Sequence, residues 1–264
     1  MKILIIGDIV GEPGRHAVQT IVPLVKQRDD IDFVIANAEN AAGGSGITPR
    51  IFQELRRAGL DVVTSGDHIF KKKEVLEILD SEPALLRPVN YPAGAPGHGV
   101  TVITAANGVK VGVVNVAGRV FMDCLECPFR TAKAAVEKIK AETPIAIVDI
   151  HAEATSEKIA LGWYLNGLAS AVVGTHTHVQ TADERLLPPH QATAYITDIG
   201  MTGSIDSVIG RKTEQILQRF LTRTPQHFEV ADENVQLHGV IVDIDEKTGR
   251  ARSIRRIQES YQGA

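Results

Sequence analysis

The chain has 264 residues, of which 44% are hydrophobic and 23% are charged, and its formal net charge at pH 7 is −4. This composition is typical of a globular protein and excludes disorder. The net charge offers no basic surface for duplex DNA or an anionic membrane. The length suits one large domain with a substantial core, so we expect a single domain over residues 1–264.

Neither a membrane span nor a signal peptide is expected. No apolar run approaches the ~20 residues that a span requires, and the N-terminal run stops at Gly7-Asp8, too early for a signal region. We therefore predict a cytoplasmic protein. Cys124 and Cys127 form a single Cys-x-x-Cys pair, which is no secreted disulfide framework. Free thiols, a redox pair and half of a zinc site are the alternatives for it.

The first seventy residues repeat one pattern three times, in which an apolar strand ends in a loop with a carboxylate or amide side chain. The predicted strands cover 2–6, 32–36 and 61–64, and the loops after them carry Asp8, Glu39-Asn40 and Asp67-His68. Helices are predicted from Pro13 to about Lys26 and from Thr48-Pro49 to Ala58, where Thr48 is a good N-cap. This alternation indicates α/β layers, in which ligands bind at the carboxyl ends of the strands.

The rest of the chain mixes hairpins with further strand–helix units. We predict helices at 71–79, 131–141, 156–168 and 212–221, strands at 145–151, 169–174 and 192–196, and hairpins at 100–105 with 109–116 and at 235–245 with 251–257. Strand 145–151 ends in Asp149-Ile150-His151, and strand 169–174 runs into Gly174-Thr175-His176-Thr177-His178. Polar side chains thus follow these strands as well.

The His-Thr-His sequence suggests a metal site. Alternate side chains of an extended strand point the same way, so His176 and His178 are expected to leave the sheet edge together. Such a motif alone is more often structural, but other strand ends supply further ligands. The polar residues at strand ends are Asp8, Glu39, Asn40, Asp67, His68, Asp149, His151, His176, His178 and Asp198. This set can supply a bridging carboxylate and terminal nitrogen and oxygen ligands for two metal ions.

These residues carry a resemblance to a known family. The segments that carry it are Gly7-Asp8-Ile9-Val10-Gly11, 37–44, Gly66-Asp67-His68, Gly118-Arg119-Val120-Phe121-Met122, His151, 174–178 and 197–203. In this order they resemble the calcineurin-like metallophosphoesterases and, more closely, the YmdB-type family, over nearly the whole chain. The resemblance implies a four-layer α/β/β/α sandwich with two mixed sheets covered by helices. It also implies hydrolysis of phosphodiesters that include 2',3'-cyclic AMP.

The resemblance implies a ligand set for two metal ions. One ion would be held by Asp8, Glu39, Asn40 and His178, and the other by Glu39, Asp67, His151 and His176, so that Glu39 bridges them. Val10 stands at the position where the wider superfamily has a histidine. Asn40 is the residue that we expect to take the place of that histidine. Asp67 stands where the family has asparagine. Its extra negative charge should bind metal more tightly and repel a phosphate more strongly.

A mechanism follows from the expected charges. Two cations would lower the pKa of a bridging water to give a hydroxide and polarise the phosphoryl oxygens. His68 would be the general acid for the leaving alkoxide, or would stabilise phosphoryl charge, without being a ligand. Mixed oxygen and nitrogen ligands favour Fe or Mn, with Zn as a further candidate. The resemblance further implies a small phosphodiester as substrate and a homo-oligomer as assembly.

Several alternatives stay open from the sequence alone. The enzyme alternative is a metal-dependent phosphomonoesterase. A different class is a regulatory protein that binds RNA or another protein around a structural dimetal site, and a scaffold without metal is a third. Asp149 would be either a hydrogen-bond partner of an imidazole or a solvated or structural carboxylate. Asp198 would be either a site contact or a helix cap or turn residue. Residues 43–46 would be either a phosphate cradle or a flexible connector.

Overall fold

A computed structural model describes residues 1–189 and 193–263 of the chain. His190 and Ala192, the second of which begins a predicted strand, lie outside the described residues. In the described part of the chain, none of the helices has the length and hydropathy that crossing a membrane requires.

Thirteen strands and five α-helices make up the described structure. In chain order, the first are β1 (Lys2–Ile6), β2 (Asp8–Ile9), α1 (Gly11–Asp29), β3 (Phe33–Asn37), α2 (Pro49–Arg57), β4 (Val62–Thr64), β5 (Val100–Thr104), β6 (Lys110–Ala117) and α3 (Pro128–Lys140). They are followed by β7 (Ala146–His151), α4 (Thr155–Tyr164), β8 (Ala171–Thr175), β9 (Arg185–Leu186), β10 (Ala194–Ile196), β11 (Met201–Ser204), α5 (Thr213–Thr222), β12 (Val235–Ile244) and β13 (Ala251–Ser260).

The strands form two mixed sheets. The first sheet has seven strands in the order β2-β11-β12-β1-β3-β4, with β13 paired to β12. The second has six strands in the order β5-β6-β7-β8-β10-β9. In each sheet the central strands are parallel, β1 with β3 and β4, and β6 with β7 and β8. The carboxyl ends of these parallel strands therefore lie together.

Three hydrophobic clusters show how the layers stack. Alternate side chains of β1 face opposite ways: Leu4 packs in a cluster with α1 and α2, whereas Ile5 packs in a second cluster with strands of both sheets. In the second sheet, Ile147 of β7 joins that shared cluster, and Val148 packs toward α3 and α4. The order is helices, sheet, sheet, helices, which confirms the predicted sandwich.

Local sequence signals account for most element boundaries. Thr48 caps α2 by accepting a hydrogen bond from the Ile51 N–H, and Gly59 follows the helix with φ of 100°. The predicted hairpin of β5 and β6 is antiparallel as expected. Helix α3 begins three residues before the predicted start, because Pro128 occupies its first turn. Helix α4 ends at Tyr164, short of the predicted Leu168.

The predicted helix over 71–79 is wrong. Only a 3-10 helix over Lys73–Glu77 is present, closed by hydrogen bonds such as that from the Ile78 N–H to the Val75 carbonyl. Lys71, Lys72 and Lys73 place positive charge at its N-terminal end, against the helix dipole, and Lys72 offers no side-chain cap. The hydrophobic spacing was correct for burying Val75, but the N-terminus lacks the groups that start an α-helix.

Candidate metal centre

The carboxyl ends of the parallel strands form one polar cavity between the two sheets. Its volume is about 350 Å³. Its lining residues are Val10, Glu39, Asn40, Gly44, His68, Glu153, His176, Thr177, His178, Ile209 and Arg211. Asp8, Asp67 and His151 contact this group directly. The structure thus brings together all eight predicted site residues.

Four of these residues converge closely enough to hold a metal ion. Glu39, Asp67, His151 and His176 each offer a ligand atom, and these atoms all lie within 4.8 Å of one another. His151 is central: its Nε2 lies 2.9 Å from His176 Nδ1, 3.2 Å from Glu39 Oε2 and 3.3 Å from Asp67 Oδ1. These four residues are the set predicted for the second ion.

The set predicted for the other ion lies beside it. Asp8 Oδ1 lies 3.8 Å from His178 Nε2, and Asn40 Nδ2 lies 3.2 Å from the same nitrogen. Asn40 Nδ2 also donates to Glu39 Oε1 at 3.0 Å. Glu39 therefore turns one carboxylate oxygen toward Asn40 and the other toward His151, which is the placement that a bridging ligand needs.

Two buried oxygen atoms in this cavity are without a hydrogen-bond partner among the described residues. They are Asp8 Oδ1 and Asp67 Oδ1. An orphaned buried carboxylate oxygen is costly unless a cation or a donor meets it. Both oxygens face histidine nitrogens of the predicted sets. The donor set and these two oxygens fit metal ions with oxygen and nitrogen ligands.

The charges of the cluster also suit a cation. Burial opposes ionisation of Glu39, but His151 and His68 outweigh it and hold the pKa of Glu39 well below its usual range. Burial opposes protonation of His151 too, yet Glu39 and Asp67 raise the pKa of His151 well above its usual value. Burial and the adjacent His151 lower the pKa of His176 to about 4. Glu39 therefore stays ionised, and the imidazole of His176 is free to act as a ligand. Burial raises the pKa of Asp8 to about 6, and a metal ion would displace the proton that the raised pKa of His151 retains.

The histidine loop is not an extended strand. Strand β8 ends at Thr175, and His176 and His178 have positive φ angles of 95° and 66°. Strand alternation was therefore the wrong reason for expecting both side chains at this edge. Backbone conformations that non-glycine residues rarely adopt place them there, a pattern that is frequent at functional sites.

A buried ion pair holds this loop. Asp198 Oδ2 accepts from the Thr177 N–H at 3.1 Å, from the Thr177 hydroxyl at 2.7 Å and from Lys158 Nζ at 2.7 Å. Lys158 and Asp198 are almost completely buried. Asp198 combines two of the predicted roles: Oδ2 contacts the residue between the two histidines, and Oδ1 accepts from the Gly200 N–H at 2.9 Å, as in an Asx turn. Lys158 could not be identified from the sequence, because its partner is 40 positions away.

Asp149 reaches His151 indirectly. Its Oδ1 accepts from the Thr175 hydroxyl at 2.7 Å, and that hydroxyl lies 3.0 Å from His151 Nδ1. Burial raises the pKa of Asp149 despite hydrogen bonds from Thr64, Thr175 and Asn37. The predicted imidazole contact is therefore relayed by a hydroxyl, which fixes the ring of His151 with Nε2 toward the cluster.

Two charged cavity residues were not predicted. Glu153 Oε2 lies 3.2 Å from His176 Nε2, and Arg211 lines the cavity together with Ile209. Both lie in loops outside any recognised motif. Glu153 follows the predicted strand end at His151 by two residues. This position is the one sequence signal that could have identified it.

Comparisons with known proteins agree with this architecture. The crystal structure of calcineurin-like phosphoesterase YfkN from Bacillus subtilis shares the fold, with a TM-score of 0.57 at 11% identity over 98% of this chain and 90% of that one. The YmdB-like protein family model matches residues 4–257, and the chain belongs to this family.

Two relatives are similar over nearly their whole length. One, from Bacillus subtilis (strain 168), is named 2',3'-cyclic-nucleotide 2'-phosphodiesterase; it is 49% identical over 97% of this chain and 96% of its own. The other is a crystal structure of a novel phosphatase from Mycoplasma pneumoniae, with a TM-score of 0.91 at 32% identity over 98% of this chain and 93% of that one. The family predicted from the motifs is confirmed.

Proposed function

We propose that the chain is a metal-dependent phosphodiesterase that hydrolyses small phosphodiesters such as 2',3'-cyclic AMP. The observation that carries the proposal is the convergence of Glu39, Asp67, His151 and His176 on one point of a polar cavity. The name of the Bacillus subtilis relative, which is 49% identical, supports the choice of substrate class.

We assign two metal ions to this cavity, with Fe or Mn preferred and Zn as a further candidate. Asp8, Glu39, Asn40 and His178 would hold one ion, and Glu39, Asp67, His151 and His176 the other. Bound ions would supply positive charge to the phosphoryl oxygens and lower the pKa of a water nucleophile. The orphaned oxygens of Asp8 and Asp67 support this assignment.

His68 is assigned the role of general acid. It lines the cavity but is not one of the four converging ligands. Its Nδ1 lies 2.9 Å from Asn40 Oδ1, and its backbone N–H donates to Glu39 Oε2 at 3.1 Å. The side chain and the backbone of His68 therefore both contact the cluster. From this position the imidazole can deliver a proton to the leaving alkoxide.

A hydrolysis assay tests the proposal. The purified protein, supplied with Mn²⁺ or Fe²⁺, is given bis(p-nitrophenyl) phosphate and 2',3'-cyclic AMP, and a chelator-treated sample serves as control. We expect turnover of the diesters that depends on the added metal. An absence of metal-dependent turnover for every substrate would sink the proposal.

A phosphomonoesterase is the second candidate, because the Mycoplasma pneumoniae relative is described as a phosphatase. The same assay with p-nitrophenyl phosphate separates the two, since a monoester rate far above the diester rate would favour the second. The single domain over residues 1–264, the homo-oligomer and the cytoplasmic location stay predictions. Limited proteolysis, light scattering and cell fractionation test them in turn.

A further inference from the structure

A half-buried arginine forms part of the wall of the candidate metal cavity. Arg211 lies between β11 and α5 and lines the same cavity as Glu39, His68 and His178. Among the described residues that line this cavity, it is the only lysine or arginine. Its guanidinium is therefore the permanent positive charge that the protein itself contributes to this space.

The guanidinium is held by backbone carbonyl groups. Arg211 Nη2 donates to the carbonyl of Gly44, and Nη1 lies 3.4 Å from the carbonyl oxygens of Gly43 and Phe228. No carboxylate in the described part of the chain forms an ion pair with it, and burial lowers the pKa of Arg211. A desolvated cation without a counter-charge is costly. The cavity wall therefore carries a positive charge that can bind an anion.

The loop around Gly44 is shaped by this side chain. Gly44 has a φ of 85°, and a Cβ at this position would overlap the Arg211 guanidinium. The carbonyl groups of Gly43 and Gly44, rather than their N–H groups, face the arginine. The two alternatives for residues 43–46, a phosphate cradle and a flexible connector, stay predictions. Through these carbonyl groups the loop positions a cation.

The arginine is also tied to the candidate metal ligands. Two residues before it, the Ile209 carbonyl lies 3.0 Å from His178 Nδ1. The same short loop therefore orients one predicted ligand and carries the cation. An anion bound by the guanidinium would lie within reach of both the cluster and His68, because all line one cavity of about 350 Å³.

We propose that Arg211 binds a non-bridging oxygen of the substrate's phosphoryl group and holds the phosphodiester against His68. The proposal rests on the proposed function, because it takes a phosphoryl group as the occupant of the cavity. Guanidinium suits this task, since its donors match phosphate oxygens in pairs and charge-assisted hydrogen bonds are the stronger ones. The bound phosphate would supply the negative charge that no carboxylate of the described residues supplies to Arg211.

The test measures the binding of inorganic phosphate to the Mn²⁺-loaded protein by calorimetry at low and high salt. Arg211→Ala, Arg211→Lys and Arg250→Ala are compared with the unchanged chain. Arg250 is an exposed arginine in the turn between β12 and β13, at the end of the sheet remote from the cavity. Metal content is measured for each, because the proposal requires it to stay constant.

We expect Arg211→Ala to weaken phosphate binding by about tenfold to a hundredfold, as for the loss of hydrogen bonds to a charged group. Its salt dependence should also become weaker. Arg211→Lys should retain part of the affinity, and Arg250→Ala all of it. In diester hydrolysis, Arg211→Ala should raise KM. Unchanged phosphate affinity in Arg211→Ala, loss of metal in that variant, or no phosphate binding by the unchanged chain would overturn the proposal.

The two proposals fail in different ways. If the unchanged chain binds phosphate through Arg211 but turns over no diester, the phosphodiesterase function is wrong and the role of Arg211 as a phosphate ligand stands. If the diester is turned over and Arg211→Ala changes neither KM nor phosphate affinity, the function stands and the role of Arg211 is wrong.

Discussion

Position 67 carries an aspartate where the resemblance implies an asparagine, and its surroundings show what the charge does. Asp67 Oδ1 lies between two imidazoles, 3.3 Å from His151 Nε2 and 3.7 Å from His176 Nδ1. Burial opposes its ionisation, but the adjacent His151 outweighs burial and lowers the pKa of Asp67. The side chain is therefore a carboxylate in the cavity. Gly66 before it is required, because a Cβ there would overlap His151 and Glu39.

Asp67→Asn should weaken metal binding and strengthen phosphate binding. Removal of one negative charge at contact distance from an ion costs about tenfold or more in metal affinity, whereas an incoming phosphate meets less repulsion. Chelator competition measures the first effect and phosphate calorimetry the second. Asp30→Asn, at an exposed carboxylate after α1, is the control. Equal metal affinity in Asp67→Asn and the unchanged chain would contradict the prediction.

His68 and His176 should respond differently to the same substitution. His68→Ala should keep its metal and lose about 10²–10⁴-fold in kcat, the usual contribution of a general acid. His176→Ala should lose metal, because its ring nitrogen belongs to the converging group. Elemental analysis and diester turnover measure both, with His16→Ala on the exposed face of α1 as control. Loss of metal in His68→Ala and retention of metal in His176→Ala would mean that His68 is the metal ligand and His176 the general acid.

At the scale of elements, the histidine loop depends on contacts from two other segments. Helix α4 supplies Lys158, and the segment after β10 supplies Asp198, which holds Thr177 between the two histidines. Because both charges are buried, neither can turn to water if the other is removed. The ion pair therefore couples the stability of the fold to the geometry of the loop.

Lys158→Met should lower the free energy of unfolding by about 3–5 kcal/mol, since it leaves the carboxylate of Asp198 buried and unpaired. Denaturant unfolding of the metal-free protein measures the loss. Lys212→Met is the matched control, because it removes an exposed pair of similar length with Glu229 and should leave the midpoint unchanged. If both variants unfold at the same midpoint, burial does not determine how much the ion pair contributes to the free energy of unfolding.

Elements with a strong local signal could be predicted from the sequence. The strand that becomes β1 is a short β-branched run, and Thr48-Pro49 starts α2 by its own capping chemistry. The helix predicted over 71–79 is wrong because the hydrophobic spacing alone does not take into account the lysines at its N-terminal end. The loop conformations of His176 and His178 could not be predicted, because the contacts that hold them come from Asp198 and Lys158.

At the scale of the whole molecule, the candidate site is divided between the two sheets. Asp8, Glu39 and Asp67 follow strands of the first sheet, whereas in the second sheet His151 ends β7 and His176 follows β8. The sequence identified the strand ends but could not assign strands to sheets. The clearest case is β12, which pairs with β1 although about 230 residues separate them along the chain. The resemblance, rather than the periodicity, supplied this long-range arrangement.

Because the site joins the sheets, metal removal should destabilise the entire fold. The hydrophobic cluster between the sheets already holds them together, so the metal-free chain should remain folded with a lower thermal midpoint. Ions that bind only the folded state stabilise it by about 2.7 kcal/mol at a hundredfold excess over Kd. Scanning calorimetry before chelation, after chelation and after addition of Mn²⁺ measures this change. His176→Ala, which lacks a ligand of one of the two ions, should show a smaller shift of the midpoint than the parent chain. An unchanged midpoint in the chelated parent chain would contradict the prediction that bound metal stabilises the fold.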